Sequence, residues 1–160
     1  MLIDIRQTDR ELLPDIRKWG CLFLCFAYAS PEEFAGRTGI QRLNRLWHVA
    51  QWFGYISGDL NGDGDCDDAG EAEVRDYDGL ARLFSLDARY DNRHHSPDEA
   101  PEKDVRYIFG CWKDKGTHFT NLSYGRKKGY TITNDPMGSS ATVRNGVLVS
   151  TRWLYGTKKA

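Results

Sequence analysis

The sequence predicts an α+β fold in which N-terminal helices pack on a C-terminal antiparallel β-sheet. Apolar residues at helical spacing dominate the first half, strand-like segments fill the last third, and an acidic, glycine-rich stretch lies between them. Because the helices precede the strands instead of alternating with them, the order favours α+β over a parallel doubly wound sheet. A chain of 160 residues that is 40% hydrophobic can bury one core, so we expect one domain over 1–160.

The first half contains three kinds of helical signal. The segment CLFLCFAYA, residues 21–29, is apolar on nearly every side, as expected for a buried helix or a buried strand. Apolar residues recur every three or four positions over 40–53, which predicts an amphipathic helix with Phe53 on its buried face. The sequence SPEE at 30–33 has the pattern of a capping box and predicts that a short helix begins there, and 74–86 predicts another.

The last third contains segments rich in β-branched and aromatic residues, which predict an antiparallel meander. Two polar stretches are expected outside the core: an acidic loop insertion at 58–71 and an exposed connector at 87–103, in which His94 and His95 are interpreted as solvated. The four predicted strands are 106–113, 117–124, 129–135 and 147–155.

Composition and charge restrict the partners. With 22 basic and 23 acidic residues the net charge is −1, so neither nucleic acid nor a membrane is expected as a partner. The first thirteen residues contain acids where a signal peptide has a basic and then an apolar region, which predicts a cytoplasmic protein. The four cysteines form no CxxC pair and are expected to be free thiols. Nothing in the sequence indicates the oligomeric state.

Three residues have the chemistry of a thiol active site. Cys21 follows Gly20 in what would be the first turn of a buried helix, where the helix dipole and free N–H groups favour a thiolate. His118 lies in a predicted strand and could serve as the base. Asp135 ends the next strand, and a hairpin would place it beside His118 to orient the imidazole. Each residue alone is more often structural, so the catalytic interpretation depends on all three together.

The motifs GCLFLC, THF and NDP, in this order, resemble those of papain-like cysteine peptidases, in particular the branch of bacteriocin-processing double-glycine peptidases and related small phage and prophage proteins. The resemblance implies a papain-like fold, with Cys21 as nucleophile, His118 as base and Asp135 as orienting acid. It also implies a peptide or isopeptide bond as substrate. Family members that cleave peptides usually have an oxyanion-stabilising glutamine a few residues before the cysteine, whereas 14–20 read PDIRKWG. Two functions therefore stay open: a cysteine peptidase, and a catalytically inactive binding protein, for example phage-encoded, that acts on a host protein.

The acidic loop has oxygen-bearing side chains at alternate positions, as in the first half of a twelve-residue calcium loop, with Gly64 at the sharp turn. The twelfth position is Gly70 instead of a bidentate glutamate, and the glutamate comes one residue later. Both a structural Ca²⁺ and a solvated, metal-free acidic loop are compatible with this pattern. The candidate calcium ligands are Asp59, Asn61, Asp63, Asp65, Asp67 and Glu71.

Overall fold

The fold is mixed α+β, with N-terminal helices and a C-terminal antiparallel sheet, as predicted. The computed structural model describes residues 5–58, 60–62 and 72–157. Over these ranges, no helix combines the length and apolar character needed to cross a membrane. The elements are α1 (Pro14–Trp19), α2 (Cys21–Ala29), α3 (Gly36–Trp52), α4 (Tyr77–Leu83), β1 (Ala88–Tyr90), β2 (Val105–Lys113), β3 (Thr117–Gly125), β4 (Gly129–Asn134), α5 (Ala141–Asn145) and β5 (Val147–Gly156).

The strands form one sheet in the order β1-β5-β2-β3-β4, with antiparallel pairing throughout. β2, β3 and β4 form the predicted meander, but the meander prediction is wrong for β5, which pairs with β2 and β1 instead of β4. The buried run from Thr151 to Tyr155 explains this position, because a buried backbone needs hydrogen-bond partners on both edges. A central strand has a neighbouring strand, and therefore hydrogen-bond partners, along each of its edges.

Helix α2 is the centre of the core. Every residue from Leu22 to Tyr28 is buried, so of the buried helix and the buried strand that the sequence left open, the helix is the one that forms. Phe23 packs edge-on against Trp47 of α3 and against Phe84, with ring centroids 5.1 Å apart in both pairs. α2 is therefore enclosed by the other helices on one side and by the sheet on the other.

Two helix boundaries differ from the predictions. No helix begins at 30–33, contrary to the prediction. The Ser30 hydroxyl donates to the distant carbonyl of Phe84 and accepts the N–H of Glu32, so it closes a local turn instead of capping a helix. α3 begins at Gly36, four residues before the predicted start. Phe53 lies just beyond the end of α3 and is 61% exposed, so the prediction that it belongs to the buried face is wrong.

The connector at 87–103 is only partly exposed, contrary to prediction. It contains β1, and His95 is 2% exposed while its neighbour His94 is solvent-accessible. The His95 ring stacks on Trp153, and its two nitrogens face the carboxylates of Asp91 and Glu99 at 2.7 and 3.3 Å. Aromatic stacking and two acidic partners compensate for the loss of hydration, which residue type alone does not reveal.

Candidate functional site

Cys21 is the first residue of α2. A Cβ on the preceding Gly20 would lie 2.5 Å from the carbonyl oxygen of Ile16, so glycine is required at the junction between α1 and α2. Because Gly20 has no capping side chain, the N–H groups of the first turn of α2 are not occupied by a cap. Cys21 is a partly exposed free thiol, whereas Cys25 and Cys111 are buried free thiols.

His118 and Asp135 form a buried hydrogen-bonded pair. His118 is 5% exposed on β3, and Asp135 directly follows β4. Since β3 and β4 pair as a hairpin, the two residues lie side by side, as predicted. The Nε2 atom of His118 is 2.7 Å from Oδ1 of Asp135, which leaves Nδ1 as the ring nitrogen for another partner.

The turn after β4 holds the Asp135 carboxylate in position. The backbone N–H of Met137 donates to Oδ1 at 2.9 Å, and that of Ser140 donates to Oδ2 at 3.0 Å. Burial by itself would raise the pKa of Asp135, but the hydrogen bonds from His118, Met137 and Ser140 outweigh it and lower the pKa. Asp135 is therefore ionised at neutral pH and can accept from the imidazole.

His118 is protonated well into the alkaline range. Burial acts to lower its pKa, but the hydrogen bonds to Asp135 and to the Cys21 side chain, together with the charges of both residues, raise the pKa to about 9. The Cys21 side chain therefore lies close enough to the imidazole to influence its protonation. The fold thus brings together all three residues that the sequence singled out.

The raised pKa of His118 should depend on Asp135. In Asp135→Asn the imidazolium loses its anionic partner while burial continues to disfavour the charge, so we expect the pKa to fall well below 9. The imidazole Cε1–H resonance followed by NMR from pH 5 to 10 measures it. Asp91→Asn is the matched control, because Asp91 contacts His95 and should leave the His118 titration unchanged. An unaltered midpoint in Asp135→Asn would contradict the pairing.

Gln7 is a buried residue near the site that the sequence did not single out. Its backbone N–H donates to the carbonyl of Pro136 at 2.7 Å, next to Asp135. Its side-chain Nε2 donates to the carbonyls of Ile16 and Arg17 at the end of α1, just before Cys21. Gln7 therefore ties the turn after Asp135 to the chain that leads into Cys21. Both amide hydrogens are used, so Gln7 does not replace the missing oxyanion glutamine.

Asn121 is a second such residue. It is buried on β3, and its Nδ2 donates to the carbonyl of Cys25 on α2 at 3.0 Å. The bond fixes the helix that carries Cys21 against the strand that carries His118. Neither Gln7 nor Asn121 has a local sequence signal, because their partners lie far away along the chain.

The predicted calcium loop falls almost entirely outside the described residues. Asn61 is described, but Asp59, Asp63, Asp65, Asp67 and Glu71 are not, and neither is Cys66. Within the described ranges, no group of three or more His, Cys, Asp or Glu side chains could hold a metal ion. Calcium binding therefore stays a prediction from the sequence.

Comparison of the chain with protein family models, with curated proteins and with solved structures finds no match. The chemistry of the site has to be inferred from its own residues.

Proposed function

We propose that the chain is a cytoplasmic cysteine peptidase of papain-like fold that hydrolyses a peptide or isopeptide bond. The observation that carries the proposal is the buried His118–Asp135 pair close to Cys21, which is the first residue of α2. A thiol, a base and a carboxylate that orients the base are the groups that nucleophilic acyl transfer requires.

In the proposed reaction, the Cys21 thiol gives its proton to His118 before the substrate binds, which forms a thiolate–imidazolium pair, and the thiolate then attacks the carbonyl carbon of the substrate. His118 then donates this proton to the leaving amine as the C–N bond breaks, which leaves an acyl thioester on Cys21. A water molecule, deprotonated by His118, attacks the thioester, releases the acid product and restores the thiol. Asp135 keeps the imidazole oriented and stabilises its charged form in both steps.

The oxyanion would be stabilised by the backbone. The N–H groups in the first turn of α2 have no acceptor within the helix and no capping side chain, and they lie next to the nucleophile. Gln7 cannot contribute, since its amide donates to Ile16 and Arg17. Because one missing oxyanion donor costs about 3 kcal/mol of barrier, we expect turnover about 10²-fold below that of a site with both donors.

The engagement of Gln7 also favours the second function, a catalytically inactive papain-like protein that binds a peptide or protein target. In this alternative the fold is retained and Cys21 is an ordinary thiol. The two functions differ in the chemical reactivity of Cys21, which can be measured without a known substrate.

Graded alkylation with iodoacetamide, followed by mass spectrometry of the digested chain, measures this reactivity. We expect Cys21 to react before Cys25 and Cys111, whose thiols are buried and have raised pKa values. We also expect the Cys21 rate to rise less than about fivefold from pH 6 to pH 8, because a thiol that has given its proton to His118 is already a thiolate.

If Cys21 reacted only because it is exposed, its alkylation rate would depend on pH more steeply. For an ordinary accessible thiol the thiolate fraction, and hence the rate, rises about 80-fold over the same two pH units. A Cys21 rate with that steep dependence would reject the peptidase and support the binding protein. Alkylation of the urea-unfolded chain, in which all cysteines are accessible, provides the reference rates.

A further inference from the structure

Arg152 is a buried cation that the proposed reaction does not use. It lies on β5 and is 6% exposed, with its guanidinium 5.5 Å from the ring centroid of Phe119. Nη1 donates to the hydroxyl of Ser150 at 2.7 Å. Nε is buried and has no hydrogen-bond partner. A donor left in this state costs free energy unless a ligand satisfies it.

Arg152 also lacks a counter-charge, since none of the carboxylates in the described part of the chain forms an ion pair with it. The four ionisable groups whose pKa the charge of Arg152 affects are neutral at pH 7. Burial raises the pKa of Tyr77, Tyr90 and Cys111, and the opposing effect of Arg152 on each is smaller. Burial, followed by the charge of Arg152, lowers the pKa of His94. Buried charges in proteins are normally paired, so this unpaired guanidinium calls for an anion.

Most of the residues around the Arg152 guanidinium are only partly buried. We define the Arg152 cluster as Arg152 with the residues next to its guanidinium. Four of these neighbours are only partly buried, so the cluster reaches the surface. The neighbours are Tyr77, Tyr90, Cys111, Phe119 and Ser150.

The Arg152 cluster lies close to the candidate active site. Ser150 is opposite Cys111, and Cys111 is opposite Phe119, so the three side chains form a row on one face of the sheet. Phe119 follows His118 on β3 and therefore points to the opposite face of the sheet. The link to the candidate site runs through Cys111, which lies near enough to Cys21 for the charge of that residue to raise the Cys111 pKa. One strand separates β5 from β3, which places their backbones about 10 Å apart. A peptide of a few residues can span that distance.

We propose that Arg152 binds a carboxylate of the substrate, either an acidic side chain or the terminal carboxylate of the peptide whose carbonyl reacts at Cys21. The link to catalysis rests on the proposed function, whereas the anion site itself does not. The planar guanidinium matches a carboxylate in geometry, and Nε–H with a neighbouring N–H can donate to its two oxygens. One guanidinium balances one carboxylate, whereas a phosphate dianion would need a second cation, and the Arg152 cluster contains none.

Thermal unfolding of the Cys21→Ala protein tests the proposal with small probes. N-acetylglutamate α-amide presents an acidic side chain, and N-acetylalanine presents a terminal carboxylate. We expect at least one of them to raise the melting temperature by about 3–6 °C at tenfold above its Kd. N-acetylglutamine α-amide, the uncharged match, and inorganic phosphate should give no shift. The response of the two carboxylates distinguishes the side-chain source from the terminal one.

Variants of Arg152 in the Cys21→Ala background show whether Arg152 causes the rise in melting temperature with the carboxylates. Arg152→Met should abolish the carboxylate shift and leave the melting temperature unchanged or higher without ligand, because it removes an unpaired buried charge while filling its volume. Arg152→Lys retains the positive charge but loses the two parallel N–H donors of the guanidinium, and should weaken carboxylate binding at least tenfold. This second variant keeps the test decisive if the first does not fold.

Several results would overturn the site: no carboxylate shift, an equal shift with the glutamine amide, a shift with phosphate alone, or a carboxylate shift that survives in the Arg152 variants. Since Cys21 is absent throughout the series, a negative result leaves the peptidase proposal standing. Failure of the alkylation experiment, in turn, leaves the carboxylate site standing.

Discussion

Replacing His118 with glutamine is expected to lower the rate of Cys21 alkylation at pH 6 by about 10²-fold. In the proposed site His118 takes up the proton of the Cys21 thiol, so the variant removes the group that keeps this thiol reactive at low pH. The rate should then rise steeply with pH. Time-resolved mass spectrometry of the peptide that contains Cys21, compared with the wild-type chain, gives the ratio.

The matched control is His48→Gln, because His48 is an exposed histidine on α3 and contacts no residue of the candidate site. In His48→Gln, the rate of Cys21 alkylation should equal that in the wild-type chain. Circular dichroism and the melting temperature show whether His118→Gln retains the fold. A folded His118→Gln protein whose Cys21 reacts as fast as in the wild-type chain would remove the basis of the peptidase proposal.

Replacing Phe26 with alanine is expected to lower the free energy of unfolding by about 3–5 kcal/mol. Phe26 is fully buried on α2, and its ring lies 4.9 Å from that of Phe109 on β2 and 5.8 Å from that of Tyr77 on α4. The substitution removes contacts with both elements and leaves a cavity between helix and sheet. Urea denaturation monitored by tryptophan fluorescence measures the change.

Phe53→Ala is the control for this prediction, because the same chemical change at a side chain that is 61% exposed should cost less than about 0.5 kcal/mol. Equal effects of the two substitutions would contradict the packing described for α2. The loss at Phe26 should also affect the candidate site, since the helix that carries Phe26 positions Cys21, and Asn121 holds that helix against β3.

The elements that the sequence predicted well are those whose signals are local. The segment at 21–29 is apolar on every side and forms the buried helix α2, and the strands around His118 and Asp135 are short runs joined by a polar turn. A hairpin with a short connection has few possible registers, so the proximity of His118 and Asp135 could be inferred before the structure.

By itself, the sequence determined the α+β class, the burial of the segment that begins at Cys21, and the hairpin that joins His118 to Asp135, because each depends on neighbours within a few tens of residues. Only the tertiary structure decided where β5 pairs, that His95 is buried, and that Arg152 forms no ion pair with a carboxylate of the described residues. These features depend on which distant groups meet, and hydrogen bonds and charges leave no periodic pattern along the chain. The tertiary structure also decided that Gln7 is engaged by the end of α1. Its amide reaches the carbonyls of Ile16 and Arg17 through a fold-dependent contact that no sequence spacing could indicate.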